Sequence, residues 1–138
     1  MITDAFTVKG DLIVTHYDGE GNIKDKRSIP NSVVTVGKNL IASRLTANTS
    51  AVISHMAVGT GNVATSASNT TLVAEVGRST LDSTTVDSSV ITYTATFPAG
   101  VGTGALKEAG LFNSSSAGTM LCRAVFTEFT KAAPDVII

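Results

Sequence analysis

Charge is what this chain has least of. Asp, Glu, Lys and Arg make up only 15% of its 138 residues and nearly cancel, leaving a formal net charge of −1. A chain so balanced carries no basic footprint for a nucleic-acid backbone, and no direct nucleic-acid partner is expected. Its densest cationic run, Lys24, Lys26 and Arg27 interrupted by Asp25, reads as the polar face of an exposed strand. The single cysteine, Cys122, excludes an internal disulfide and a cysteine-based zinc site. In the strand-like run 120–126 its thiol is expected to act as a small buried hydrophobe. Tryptophan is absent. No apolar run reaches the roughly 18 residues of a membrane-spanning helix, so no membrane partner is expected. The opening Met1-Ile-Thr-Asp-Ala-Phe6 lacks the basic patch and apolar stretch of a signal peptide, which predicts synthesis and folding in a cytoplasm.

Catalytic material is equally scarce. His16 and His55 fall on different predicted strands, and no Gly-x-Ser-x-Gly elbow is present to anchor a hydrolase triad. A thiol–imidazole pair of Cys122 with His55 is outweighed by two separate half-buried side chains. Gly59-Thr-Gly61 lacks the further glycine or Gly-Lys-Ser/Thr of a phosphate loop and reads as a strand-ending turn. Asp18 and Glu20 are far from an EF-hand pattern and read as a solvated turn rather than a cation site. Asn48, Asn69 and Asn113 each open a glycosylation sequon, but such matches arise by chance in a chain this rich in Asn, Ser and Thr. No catalytic residue, cofactor or metal ligand is assigned.

What the chain does have is strand and turn chemistry. It holds 34 serines and threonines and 12 glycines, with a mean hydropathy of +0.27, which excludes a charge-solvated disordered chain. The length is that of one domain, 1–138. Residues 5–29 read as an N-terminal β-hairpin turning through Asp18-Gly-Glu-Gly-Asn22, a loop length that favours a bulge, with Pro30 ending the pairing. Residues 36–47 form the one convincing helix, with Val36, Leu40, Ile41, Ala42 and Leu45 as its apolar stripe. Strands follow at 52–58, 76–86, 90–98, 105–113 and 119–129, with further hairpins turning at 87–89 and 113–118. Ile91, Tyr93, Ala95 and Phe97 share one face of the clearest strand. The expected fold is all-β: a mainly antiparallel sandwich, jelly-roll-like, with one short helix.

The apolar chain ends stand apart, because soluble monomers usually carry polar, frayed tails. Met1, Ile2, Thr3, Asp4, Ala5 and Phe6, together with Val136, Ile137 and Ile138, are expected to form extended termini that pack on neighbouring subunits.

A longer pattern resembles a known family. Gly37-Lys-Asn-Leu-Ile-Ala-Ser-Arg-Leu45 and Ile53-Ser-His-Met-Ala-Val-Gly-Thr-Gly61 are followed by Thr71-Leu-Val-Ala-Glu-Val-Gly-Arg78 and by residues 90–99, 104–113 and 118–126. In this order they resemble small virion structural proteins of tailed bacteriophages, and Glu108-Ala-Gly-Leu-Phe112 resembles the β-domain at the base of collar-type tail fibres. The resemblance implies a virion component without enzymatic activity, made in the host bacterial cytoplasm. Relatives in the resembled family typically continue with another strand beyond the point matching Asp135-Val-Ile-Ile138, so the expectation is either a short last strand or an incomplete version of the protein. The small size and lack of fibre-like repeats favour a capsid cement, or decoration, protein on the head exterior. Such a protein would bridge units of the major capsid protein as a dimer or trimer. The alternative is a tail or collar component, an adaptor or fibre-base domain with tail or collar partners. A glycan-binding module on loops 59–71 and 98–104 ranks below both, since those loops hold no aromatic residue.

Overall fold

The computed structural model describes residues 7–46 and 49–138. Among these described residues nine strands and one helix follow in order: β1 (Gly10–Tyr17), β2 (Ile23–Val33), α1 (Thr35–Arg44), β3 (His55–Gly59), β4 (Glu75–Thr80), β5 (Ser83–Asp87), β6 (Val90–Thr94), β7 (Gly104–Phe112), β8 (Met120–Lys131) and β9 (Val136–Ile137). Seven strands form one antiparallel sheet in the order β4-β3-β7-β8-β2-β1-β9, and β5–β6 stands apart as a two-stranded ribbon. The all-β class with a single short helix is what the structure shows. Its layering comes from one sheet that curls over itself rather than from two separate sheets.

Two apolar clusters explain the curl. On one face Val14 of β1 and Ile137 of β9 meet Val58, Leu106, Ala109, Phe126 and Phe129 of β3, β7 and β8, with Ala95 and Phe97 between them. Phe97 exchanges backbone hydrogen bonds with Ile137 at 2.8 and 3.2 Å, which stitches the chain end to the segment after β6. On the other face Val34, Ala57, Leu72, Phe112 and Met120 lie together, with Val36 of α1 packed against them.

Alternation sets the first hairpin. Val14 and His16 point inward while Ile13 is exposed. The Asp18 carboxylate accepts the amides of Glu20 and Asn22, both at 2.9 Å, and Gly21 takes φ +90°. This is a turn built around an Asx side chain. The register shifts between His16 and Tyr17, the bulge that the loop length predicted. Pro30 does not end the pairing, contrary to expectation: it stands opposite Asp11, and β2 runs on to Val33. The reason lies in the ladder's parity. Thr15 turns its N–H and C=O toward Ile138, so alternate β1 residues, Asp11 included, face away from β2. Asp11–Pro30 is therefore a non-hydrogen-bonded pair, and no donor is missed at Pro30. Past it, β2 changes partner, with Ser32 and Val33 opposite Arg123 and Cys122 of β8.

The helix is shorter than the expected 36–47. It ends at Arg44, where the hydroxyls of Ser43 and Thr46 bond back to the carbonyls of Leu40 and Ser43. Residue 47 lies outside the described residues. Ala42 and Leu45 face solvent, and the buried positions are Gly37 and Leu40. Gly37 is required by close approach: a Cβ there would stand 2.1 Å from the Leu121 carbonyl oxygen.

The expected strand 76–86 divides into β4 and β5 because Leu81 tucks against the first cluster and its amide bonds to Ser54 O. The expected strand 90–98 likewise stops at Thr94. Ala95 and Phe97 enter the core, whereas Ile91, predicted to share their face, is exposed on the ribbon. The hairpins turning at 87–89 and 113–118 form as predicted.

Candidate functional site

The strongest polar construction lies where β7 and β8 meet loop 60–74. Glu108 stands opposite Val125 and Arg123 opposite Gly110, so the two side chains are diagonal neighbours on one face. Both are fully buried. Glu108 Oε2 accepts Arg123 Nε at 2.9 Å, and Arg123 Nη2 lies at the same distance from that oxygen. The carboxylate also gathers the loop: Oε1 accepts the amides of Gly61 at 3.1 Å and Ala74 at 2.7 Å, and Oε2 accepts Val73 N at 3.1 Å. The rest of the guanidinium holds the same loop from the other side. It donates to the carbonyls of Val63 (2.9 Å) and Ala64 (3.4 Å) and to Asn69 Oδ1 (3.1 Å). A buried charge pair persists only when its remaining donors and acceptors are satisfied, and here loop backbone satisfies them.

The glycines make room for this clasp. A Cβ on Gly59 or Gly61 would fall 2.6 or 2.5 Å from Glu108 Oε1. Val-Gly-Thr-Gly occurs twice in the chain, at 58–61 and 101–104, and the first of these echoes is packing chemistry around a carboxylate. Gly102 in the second echo takes φ +63° and lies against Val58 and Phe97.

A second polar cluster locks the chain end. Asp135 Oδ2 accepts Lys24 Nζ and His16 Nε2, both at 2.8 Å, and Ala132 N at 3.0 Å. The Lys24 ammonium foremost, aided by His16 and the Ala132 amide, holds the Asp135 carboxyl well below the usual carboxylate range. Lys131 donates to the carbonyls of Asp135 (2.6 Å) and Pro98 (3.0 Å), and burial lowers its ammonium from the ordinary lysine value. Arg78 closes the β7–β8 turn. It bonds the carbonyls of Ser114 and Ala117, pairs with Glu75, and lies 3.9 Å over the Phe112 ring.

The residues singled out in the sequence fall as follows. Met1, Ile2, Thr3, Asp4, Ala5 and Phe6 lie outside the described residues. Val136 and Ile137 pair with Tyr17 and His16 of the same chain, Ile137 is buried in the core, and Ile138 is exposed. Cys122 is buried, and that burial pushes its thiol up to about 11, out of the range of a nucleophile at neutral pH. His55 contacts Ser54 and Thr80 hydroxyls, and His16 belongs to the Asp135 cluster. Asn69 and Asn113 use their carboxamide oxygens to cap loop amides. Among the described residues no group of three or more His, Cys, Asp or Glu is placed to hold a metal, and no helix is long and apolar enough to cross a membrane.

In the sequence Glu108 and Arg123 stand inside separate apolar runs, and nothing in their spacing pairs them. The signal that could have done so was one carboxylate and one guanidinium, each flanked by buried-type residues, in a chain with few charges.

The fold is thus a curled β-domain whose buried charges fix its own loops. The model of the phage tail-collar fibre protein, N-terminal, matches residues 28–136, from β2 into β9. The chain belongs to that family of phage structural proteins. Comparison with curated proteins and with solved structures finds no match.

Proposed function

We propose that this chain is the collar-proximal β-domain of a tail fibre, a mechanical mount that joins fibre to tail through contacts with tail proteins and with further copies of itself. The family match over 28–136 carries the reading. The fold suits a mount, since antiparallel ladders run from β4 to β9 and the long loop 60–74 is fastened to the sheet by the Glu108–Arg123 pair. The head-surface reading that the sequence favoured, a cement protein bridging major capsid protein, draws no support from the family, and the tail–collar alternative takes its place.

Separating heads from tails in purified virions and counting this protein in each by quantitative mass spectrometry tests the reading. The expected result is recovery with tails at roughly 3 to 12 copies per particle, as closed point symmetry of a collar implies. Recovery with heads in the hundreds of copies would overturn it.

A further inference from the structure

The β5–β6 ribbon is the part of this molecule that its own fold leaves unexplained. Thr85, Val86, Val90, Ile91 and Thr92 are β-branched residues of high strand propensity, yet no core receives them. Every residue from Ser83 to Thr92 is exposed, with Val86 at 69%, Val90 at 61% and Ile91 at 52%. Val86 and Ile91 stand directly opposite each other, so one face carries an apolar cross-strand pair in open solvent. The ribbon is anchored at its base alone, where Asp82 N bonds to Thr94 O, Thr96 Oγ1 donates to Asp82, and Leu81, Ala95 and Phe97 enter the first apolar cluster. Among the described residues no other strand pairs with it. A two-stranded ribbon exposed on both faces is marginal in water and gains its stability from a further layer.

Its chemistry selects the occupant. Asp87 is the one charged residue within 83–94, so the ribbon offers no cation to a phosphate or an anionic headgroup and a single carboxylate to a cationic peptide. The ribbon also lacks the devices that keep exposed strands from meeting their own kind: no lysine, no proline, no bulge in its register. The other free edges do carry such devices. β4 has a register shift at Val76 and the Arg78–Glu75 pair, and β9 is two residues long. A neutral, unguarded ribbon on a chain of net charge −1 is complementary to itself, and copies of the chain do not repel each other. The patch is small: about 12 residues against the roughly 20–30 per partner of a standard interface, which makes it a reversible contact for the free protein.

We propose that the β5–β6 ribbon is a self-association surface, by which one copy of this chain binds the ribbon of a second copy through the Val86–Ile91 face. This deepens the collar reading, on which it rests only for bringing copies side by side.

Sedimentation velocity of the purified full chain over a concentration series tests it, with Val86→Lys, Val86→Glu and an equimolar mixture of the two. The wild type should associate reversibly, each variant alone should lose the associated species, and the mixture should recover it. Val52→Lys, at an exposed apolar site outside the ribbon, should associate like wild type. Unchanged far-UV spectra and urea midpoints identify folded variants. Should a lysine or glutamate loosen the ribbon itself, Val86→Thr/Ile91→Thr keeps strand propensity while removing the apolar pair, and should still weaken association at least about tenfold. A monomeric wild type, variants that associate normally, or a mixture that fails to recover would each overturn the proposal. Location on heads or tails does not enter this readout, so failure here is separate from failure of the collar reading.

Discussion

Replacing Glu108 by glutamine removes one charge and changes little in shape, so its effect isolates the chemistry of the clasp. The carboxylate accepts from four groups: the amides of Gly61 and Ala74 on one oxygen, and Val73 N and Arg123 Nε on the other. A glutamine that keeps its oxygen toward Gly61 and Ala74 turns an NH2 toward Val73 and Arg123, so donors face donors. Orphaned buried donors cost about 1–3 kcal/mol each, and breaking a buried ion pair costs about 3–5 kcal/mol. The two figures describe the same loss, and Glu108→Gln should therefore destabilise by about 3–5 kcal/mol, a large part of a domain's usual 5–15. For a chain of this length that corresponds to a midpoint lowered by about 10–20 °C. Urea titration should show a lower midpoint with an unchanged slope, because the surface exposed on unfolding is the same. Amide exchange should quicken first at Gly61, Val73 and Ala74. A loss below about 1 kcal/mol, with those three amides still protected, would refute the reasoning. The double variant Glu108→Leu/Arg123→Met leaves no unpaired charge and should recover part of the loss. It should not recover all of it, since the three loop amides still lack an acceptor. Strictly additive single and double effects would deny the coupling.

Two further outcomes follow from the geometry. Gly37→Ala would raise helix propensity by about 1 kcal/mol in an isolated helix, but the new Cβ would fall 2.1 Å from Leu121 O, so the sign should reverse. A net loss of about 2 kcal/mol or more in urea titration is expected, and a gain would show that α1 does not seat on β8. Asp135, whose folded carboxyl lies below its ordinary value, contributes stability that is fully present above the unfolded carboxylate range near pH ~4 and is lost as pH falls through the lowered folded value. Thermal midpoints of wild type should thus fall with acidification below that range more steeply than those of Asp135→Asn, and parallel curves would contradict this assignment.

The fold was legible wherever a strand's pattern depends on its own sequence. Strand-forming runs marked β1, β7 and β8, and turn residues marked the three hairpins. Boundaries failed where tertiary contacts decide. Leu81 breaks the run 76–86 because the core takes its side chain, and Pro30 stays in its strand because the ladder's parity asks nothing of its nitrogen. The clasp was not legible, because pairing Glu108 with Arg123 depends on a register that shifts between Leu106 and Glu108. Nor does a strand's apolar alternation say which layer, if any, covers it. Ile91 and Phe97 have the same pattern, yet one is exposed and the other buried.

Scarcity of charge therefore has a different meaning in three dimensions than in composition. Glu108, Arg123, Asp135 and Lys131 are among the most buried residues of the chain, while Val86, Val90 and Ile91 are among the most exposed. This inverts the usual distribution, and each half has its own physical consequence. Buried charge gives directional bonds that fix a loop lacking strands or helices of its own, a rigidity that apolar packing alone does not specify. Exposed apolar surface is a source of free energy released only on association. The clasp and the ribbon share no residue and no hydrogen-bond partner, so the two properties should separate under mutation. Glu108→Gln should lower the unfolding midpoint and leave association of the folded chain intact. Val86→Lys should abolish association and leave the midpoint of the monomer nearly unchanged. A variant of either kind that moved both readouts together would show that the ribbon belongs to the folding unit rather than to assembly.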